Sequence, residues 1–205
     1  MRSLVLSLGS LGVCVSLTLG CSSKADNAGS NGQDESGGAC NVVLESATGL
    51  THSHLNDCAP ISYPDNPPIG GDHYGTWAAF QSYSFPVPRG FFVHDLEHGA
   101  IVFTYNCPEG CDDEVAQVQA LIDALPEDSL CTGDPDTGAL RRVVLTPDPL
   151  LDVRWGLSAW GHTLRADCVD SDRFSQFYLN HFGLGPEKLC ARGNDFGGVQ
   201  PCQSQ

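Results

Sequence analysis

The chain has 205 residues, with 25 Asp and Glu against 10 Lys and Arg, a formal charge of −15. So acidic a balance repels nucleic-acid phosphates and anionic headgroups, which excludes nucleic acid as a partner while saying little about fold. Ten cysteines in a chain of this length point to an oxidising compartment, and the length that follows the N-terminal segments suits one domain.

Residues 1–20 read as a signal peptide. Arg2 supplies a positive start, Leu4 to Leu19 form an apolar stretch too short for a membrane span, and no stop-transfer charges follow. Leu17-Thr18-Leu19-Gly20-Cys21 resembles the lipobox of bacterial lipoproteins, with Thr18 where that motif usually has Leu. It makes Cys21 the expected lipidation site, and hence the membrane a partner through a lipid anchor. Ser22 is not the Asp that holds lipoproteins at an inner membrane, which points to an outer membrane or a periplasm-facing location. Residues 22–39 are rich in Gly, Ser, Asn, Asp and Gln without a large apolar side chain, a flexible tether that completes a 21–39 segment before a globular domain over 40–205. Losing Arg2 with the leader takes the charge from −15 to −16.

From Cys40 to Arg89 the chain is rich in Gly, Pro, Asn and Asp and reads as loops and brief strands, with a possible strand at Val42–Leu44. Ala100–Tyr105, β-branched and aromatic, predicts a strand buried on both faces. Asp112 or Asp113 can N-cap a helix to about Leu125, with Val115, Val118, Leu121, Ile122 and Leu125 as its apolar stripe and Pro126 as its stop. Arg142–Thr146 predicts a second strand and Leu157–Ala166 a third. Ser171 opens a second helix with Phe174, Phe177, Tyr178 and Phe182 on one face and Gly183 as C-cap. The expected fold is α+β: a single compact domain with a small, largely antiparallel sheet, two helices and many loops, stapled by disulfides.

With Cys14 and Cys21 set aside, eight cysteines remain as disulfide candidates: Cys40, Cys58, Cys107, Cys111, Cys131, Cys168, Cys190 and Cys202. A short turn through Pro108-Glu109-Gly110 favours Cys107 with Cys111, and Cys190 with Cys202 would close a C-terminal loop.

Five of the seven histidines fall in three short motifs. In His52-Ser53-His54 an extended backbone points both imidazoles to one side. Pro67-Pro68-Ile69-Gly70-Gly71-Asp72-His73-Tyr74 is an irregular loop able to present His73 inward. His94-Asp95-Leu96-Glu97-His98-Gly99 puts His94 and His98 on one face whether helical or extended, and a helix adds Glu97 beside them. Polar groups buried beside Phe91, Phe92 and Ile101 are costly without a partner, and neutral imidazole with carboxylate is a normal divalent-metal donor set. The expected ligands are His52, His54, His73, His94, Glu97 and His98, with Asp72, Tyr74 and His162 as possible outer partners; the bland alternative is that the motif only braces loop backbone. The metal would be Zn or Cu: Met1 is the only methionine, and disulfide cysteines offer no thiolates.

Pro67-Pro68-x-x-Gly71-x-His73-Tyr74, His94-x-Leu96-Glu97-His98-Gly99-Ala100 and Ala159-Trp160-Gly161, in this order, resemble the bacterial and archaeal family called domain of unknown function 3105, from about His52 to Glu187. The resemblance implies an extracytoplasmic location and a histidine-rich site, and brings no established activity. Whether the chain is an enzyme is left open by the sequence. The alternatives to simple metal binding are a metal-dependent hydrolase or oxidase with Glu97 as base, a redox pair at Cys107 and Cys111 that Glu109, Asp112 and Asp113 would disfavour, and a purely structural domain. His-x-x-Glu-His also matches an inverse zincin signature, but Gly99 and the strand-forming run after it leave room for about one helical turn there.

Overall fold

The computed structural model describes residues 40–202; the leader over 1–20, Cys21 and the tether lie outside the described residues. The β-prone run after Gly99 becomes strand β4 (Ile101–Tyr105), whose first four residues are fully buried. It sits within a five-stranded sheet with β1 (Val42–Ser46), β5 (Val143–Pro147), β6 (Trp155–Ala159) and β7 (His162–Ala166), in the order β1-β7-β6-β4-β5. Only β4 and β5 pair in parallel; every other neighbour is antiparallel.

Both faces of the sheet are covered, and the two-residue alternation of β4 assigns them. Ile101 and Phe103 join Leu145, Trp155, Leu157 and Leu164 under two helices, α2 (Asp112–Ala124) and α4 (Ser171–His181). From these come Val118, Ile122, Phe174, Phe177 and Tyr178. Val102 and Val144 face the other way, onto α1 (Arg89–Glu97) with Phe91, Phe92, Val93 and Leu96, and onto Tyr74, Tyr83 and Val87 from the loops. The apolar stripe expected for α2 packs into the first of these cores, although Cys111 holds the N-cap position, and Asp112, Asp113 and Glu114 fill the first turn, where the helix dipole favours carboxylates. Asp170 caps α4 by accepting from the Arg173 N–H at 3.0 Å.

The structure corrects four expectations. Four helices occur among the described residues rather than two, the additions being α1 and the single turn α3 (Ser129–Thr132). Helix α1 escapes periodicity because it is buried on every side from Gly90 to Glu97, so it carries no polar stripe. It runs for nine residues and not one turn. The third strand is a hairpin, broken between β6 and β7 where Gly161 adopts φ +80°. Cys107–Cys111 is bonded as expected, but Cys190 joins Cys131 and Cys202 joins Cys58, with Cys40–Cys168 completing four disulfides. The C-terminal segment explains the exchange. It turns back along the α1 layer, where Asn194 donates its N–H to Trp77 O and Ala79 donates to Asn194 O, each at 2.9 Å, and this carries Cys202 to Cys58.

Both ends of α1 are tied by charge. At its start Arg89 donates to Asp148 and to Asn66 at 2.9 and 2.6 Å. Just past its end, Arg142 of the segment entering β5 donates to the His98 carbonyl and, at 2.6 Å, to Asp128, all three buried. A cation at the carbonyls of a helix C-terminus that lack a partner within the helix is favourable, and Asp128 compensates the buried guanidinium. Replacing Arg142 with Met leaves Asp128 buried without its partner and frees the end of α1. The expected loss of stability is about 3–5 kcal/mol, read by urea unfolding. A loss below about 1 kcal/mol, the scale of an exposed pair, would contradict this reading.

Candidate metal centre

Two short strands and one helix bring the histidine motifs together. Strands β2 (His54–Leu55) and β3 (His73–Tyr74) pair in parallel with His54 opposite His73. Asp72, just before β3, accepts the Ser53 backbone N–H at 3.0 Å, and this hydrogen bond holds its carboxyl below the usual range. Ahead of it Gly70 and Gly71 take φ +141° and +117°, which only glycine adopts without strain. A Cβ on Gly70 would also lie 2.8 Å from Leu50 and 3.2 Å from Trp160. Tyr74 lies over α1 so closely that a Cβ on Gly90 would be 2.6 Å from its ring.

This backbone sets the tautomers. His73 Nδ1 is 2.8 Å from the Gly71 carbonyl and His94 Nδ1 is 2.8 Å from the Tyr74 carbonyl. A carbonyl only accepts, so both Nδ1 atoms carry hydrogen, and in neutral rings both Nε2 atoms present lone pairs. His73 Nε2 is 3.0 Å from Glu97 Oε2, and His54 Nε2 is 3.3 Å from the same oxygen. One ligand atom each from His54, His73, His94 and Glu97 lies within 4.8 Å of all the others, a cluster that could hold a metal ion. Trp160 meets His73 edge-on at 6.2 Å, and Trp77 packs on His94 at 5.1 Å.

Burial is uneven. His73, His94 and Glu97 are at most 3 % exposed, whereas the His54 side chain is 51 % exposed, so the cluster opens on one side. His52 lies on that side, its Nδ1 3.5 Å from Glu97 Oε1. Burial pushes His94 down to about 4, against the opposing hydrogen bond to Tyr74 O, and pushes His98 down to about 3 with the His94 and His73 imidazoles adding to it. Both rings are therefore neutral near pH 7, the form that ligates metal.

Of the six expected ligands, four are brought together, His52 stands at the open rim, and His98 lies outside the cluster. His98 Nε2 is 3.5 Å from Glu187 Oε2, and its Nδ1 is buried with no partner among the described residues. Of the outer partners, Asp72 acts on the backbone between His52 and His54, and Tyr74 acts through its carbonyl. His162 instead stacks on His181 of α4, with ring centroids 4.1 Å apart. Residue type could not announce the carbonyls of Gly71 and Tyr74 as imidazole partners. Asp95 is a further buried acid on α1. Burial pushes its carboxyl well up against the Ala78 backbone N–H, and neither oxygen has a partner of normal hydrogen-bond geometry.

A family model described as "Protein of unknown function (DUF3105)" matches residues 54–193, from the first clustered ligand to beyond β7 and α4. His52, Cys40 and Cys202 lie outside that match. No curated protein and no solved structure matches the chain.

The depressed imidazoles make a signed prediction for chelator-treated protein. Below pH 6.5 the unfolded chain protonates histidines that the fold keeps neutral down to about 4 and about 3, so stability falls as pH drops through that window. Urea unfolding at about pH 7, 5.5 and 4.5 should show a progressive loss that is smaller in His98→Leu; equal slopes in both proteins would contradict the assignment.

Proposed function

The chain belongs to this family of unknown function, and from that premise we propose that it binds one divalent transition-metal ion through His54, His73, His94 and Glu97, as an exported, lipid-anchored protein of the cell envelope. One observation carries the reading. His73 spends its Nδ1 hydrogen on Gly71, so a neutral His73 ring turns its Nε2 lone pair on Glu97 Oε2 at 3.0 Å inside the protein. A proton or a metal ion between them satisfies both. A metal ion satisfies His54, His94 and both of these groups at once, whereas a proton on His73 satisfies only one pair.

Imidazole and carboxylate suit Zn(II) or Cu(II). The eight cysteines of the described residues are all in disulfides, which removes thiolate ligands and fits an oxidising extracytoplasmic compartment. Among the described residues no helix is long and apolar enough to cross a membrane. The proposed attachment is lipid on Cys21, with the acidic tether between anchor and domain.

A second reading, a metal-dependent enzyme, draws on the half-exposed His54 and the rim position of His52. A site open on one side leaves a coordination position for water or substrate, as catalytic zinc sites do. A bound ion that exchanges its solvent ligand for azide or cyanide supports that reading; an ion closed by four protein ligands and inert to both removes it.

Protein purified without chelators should retain one tightly bound ion after dialysis, by elemental analysis. His73→Ala combined with His94→Ala should lose it. Glu97→Gln should weaken it by at least about 100-fold, since even partners outside the ligand set are worth about 10–100-fold. A stoichiometric ion in the double variant would overturn the proposal.

A further inference from the structure

The way into the cluster on α1 runs past the segment His52-Ser53-His54. His73, His94 and Glu97 are buried, with Trp77 and Trp160 against the His94 and His73 rings, whereas the side chains of His54 and His52 are 51 % and 68 % exposed. The segment is pinned at its middle residue, where the Ser53 N–H donates to Asp72 and the Ser53 carbonyl accepts the His73 N–H, each at 3.0 Å. Its two imidazoles reach the same carboxylate but different oxygens. His54 Nε2 is 3.3 Å from Glu97 Oε2, the oxygen that also faces His73, while His52 Nδ1 is 3.5 Å from Glu97 Oε1. His52 does not belong to the set of ligand atoms lying within 4.8 Å of one another, so in this position it does not share an ion with His73 and His94.

We propose that His52 and Glu97 Oε1 form an entry position, where a divalent transition-metal ion is captured at the rim and passed inward to His54, His73 and His94. The inference rests on the four-ligand reading above and adds to it that the ion is cargo, taken up and given up again. Two donors of a tetrahedral ion, each about 2.0–2.2 Å from it, lie about 3.3–3.6 Å apart, and the His52–Glu97 spacing falls in that range. Glu97 bridges the two positions by presenting one oxygen to each. In the transfer, the bond from the ion to His52 Nδ1 breaks as bonds to His54 Nε2 and His73 Nε2 form. Glu97 stays bonded through one oxygen or the other, water leaves the ion for solvent, and the charge and oxidation state of the ion do not change. With only two protein ligands the outer position holds the ion weakly, which suits a place the ion passes through. Release runs the same steps backwards, so His52 speeds arrival and departure alike and leaves the affinity nearly unchanged. A chain of formal charge −15 gathers cations at its surface and supplies the exposed position.

The test is stopped-flow mixing of the full chain, disulfides intact, with Cu(II). Uptake is read by quenching of Trp77 and Trp160, whose rings lie 5.1 Å from His94 and 6.2 Å from His73, and release by recovery of fluorescence in excess EDTA. His52→Ala and His52→Gln should each slow both uptake and release about tenfold or more, the scale of a partner outside the ligand set. The Kd for Cu(II) should move by less than about threefold in both, because the two rates change together. His54→Ala, which removes a ligand of the inner site, should instead weaken the Kd by about tenfold or more. Unchanged rates in both His52 variants, or a loss of affinity carried by faster release alone, would overturn the proposal and leave the four-ligand site standing. Unsubstituted protein that Cu(II) neither binds nor quenches would remove the metal reading itself, and this inference with it.

Discussion

Much of the α1 layer is organised around one contact, His73 Nε2 facing Glu97 Oε2 at 3.0 Å with both residues buried. Neither group can turn away. The Gly71 carbonyl holds the far side of the His73 ring, and Glu97 stands on the last turn of a helix packed on all sides. A buried carboxylate without a compensating charge is costly, as is an imidazole lone pair aimed at it. A proton or a cation between the two groups relieves that cost, and a metal ion is the occupant that could also use His54 and His94.

The rest of the fold keeps that contact in place. Helix α1 lies between the sheet and the loops of the N-terminal half, tied by Arg89 at its start and by Arg142 at its end. The loops carry the other half of the donor set and have little regular structure of their own, with only two residues in each of β2 and β3. They are secured from outside. Cys58, four residues after His54, is bonded to Cys202, and Phe196 of the same C-terminal segment packs on Phe91 of α1 at 4.9 Å. That segment also donates the Glu187 N–H to Glu97 O, so it touches both halves of the site.

Much of this was legible in the sequence, for identifiable reasons. Strands β4 and β5 and helices α2 and α4 follow patterns of apolar residues that report burial on one or two faces. The histidines and Glu97 stand out because buried polar residues at short spacing are uncommon. Helix α1 was hidden by burial on every side, and the β6–β7 hairpin by a turn of only Trp160 and Gly161 within an otherwise strand-like run. The separation of His98 from the cluster was hidden too. His94 and His98 share a helical face at the level of spacing, but the Tyr74 carbonyl turns the His94 ring toward β2 and β3, while His98 lies beside Trp77 and Glu187. Pairing Cys190 with Cys202 assumed a local loop, and only the return of the chain along α1 sends them to Cys131 and Cys58.

The most direct test of this account is anomalous diffraction at the metal absorption edge from crystals of the unchelated protein. A single tightly bound ion is expected within about 2.0–2.2 Å of Nε2 of His73 and His94 and of a Glu97 oxygen, with His54 completing the set. A well-ordered His73–Glu97 contact with no anomalous density between those groups, in protein loaded with Zn(II) or Cu(II), would contradict it.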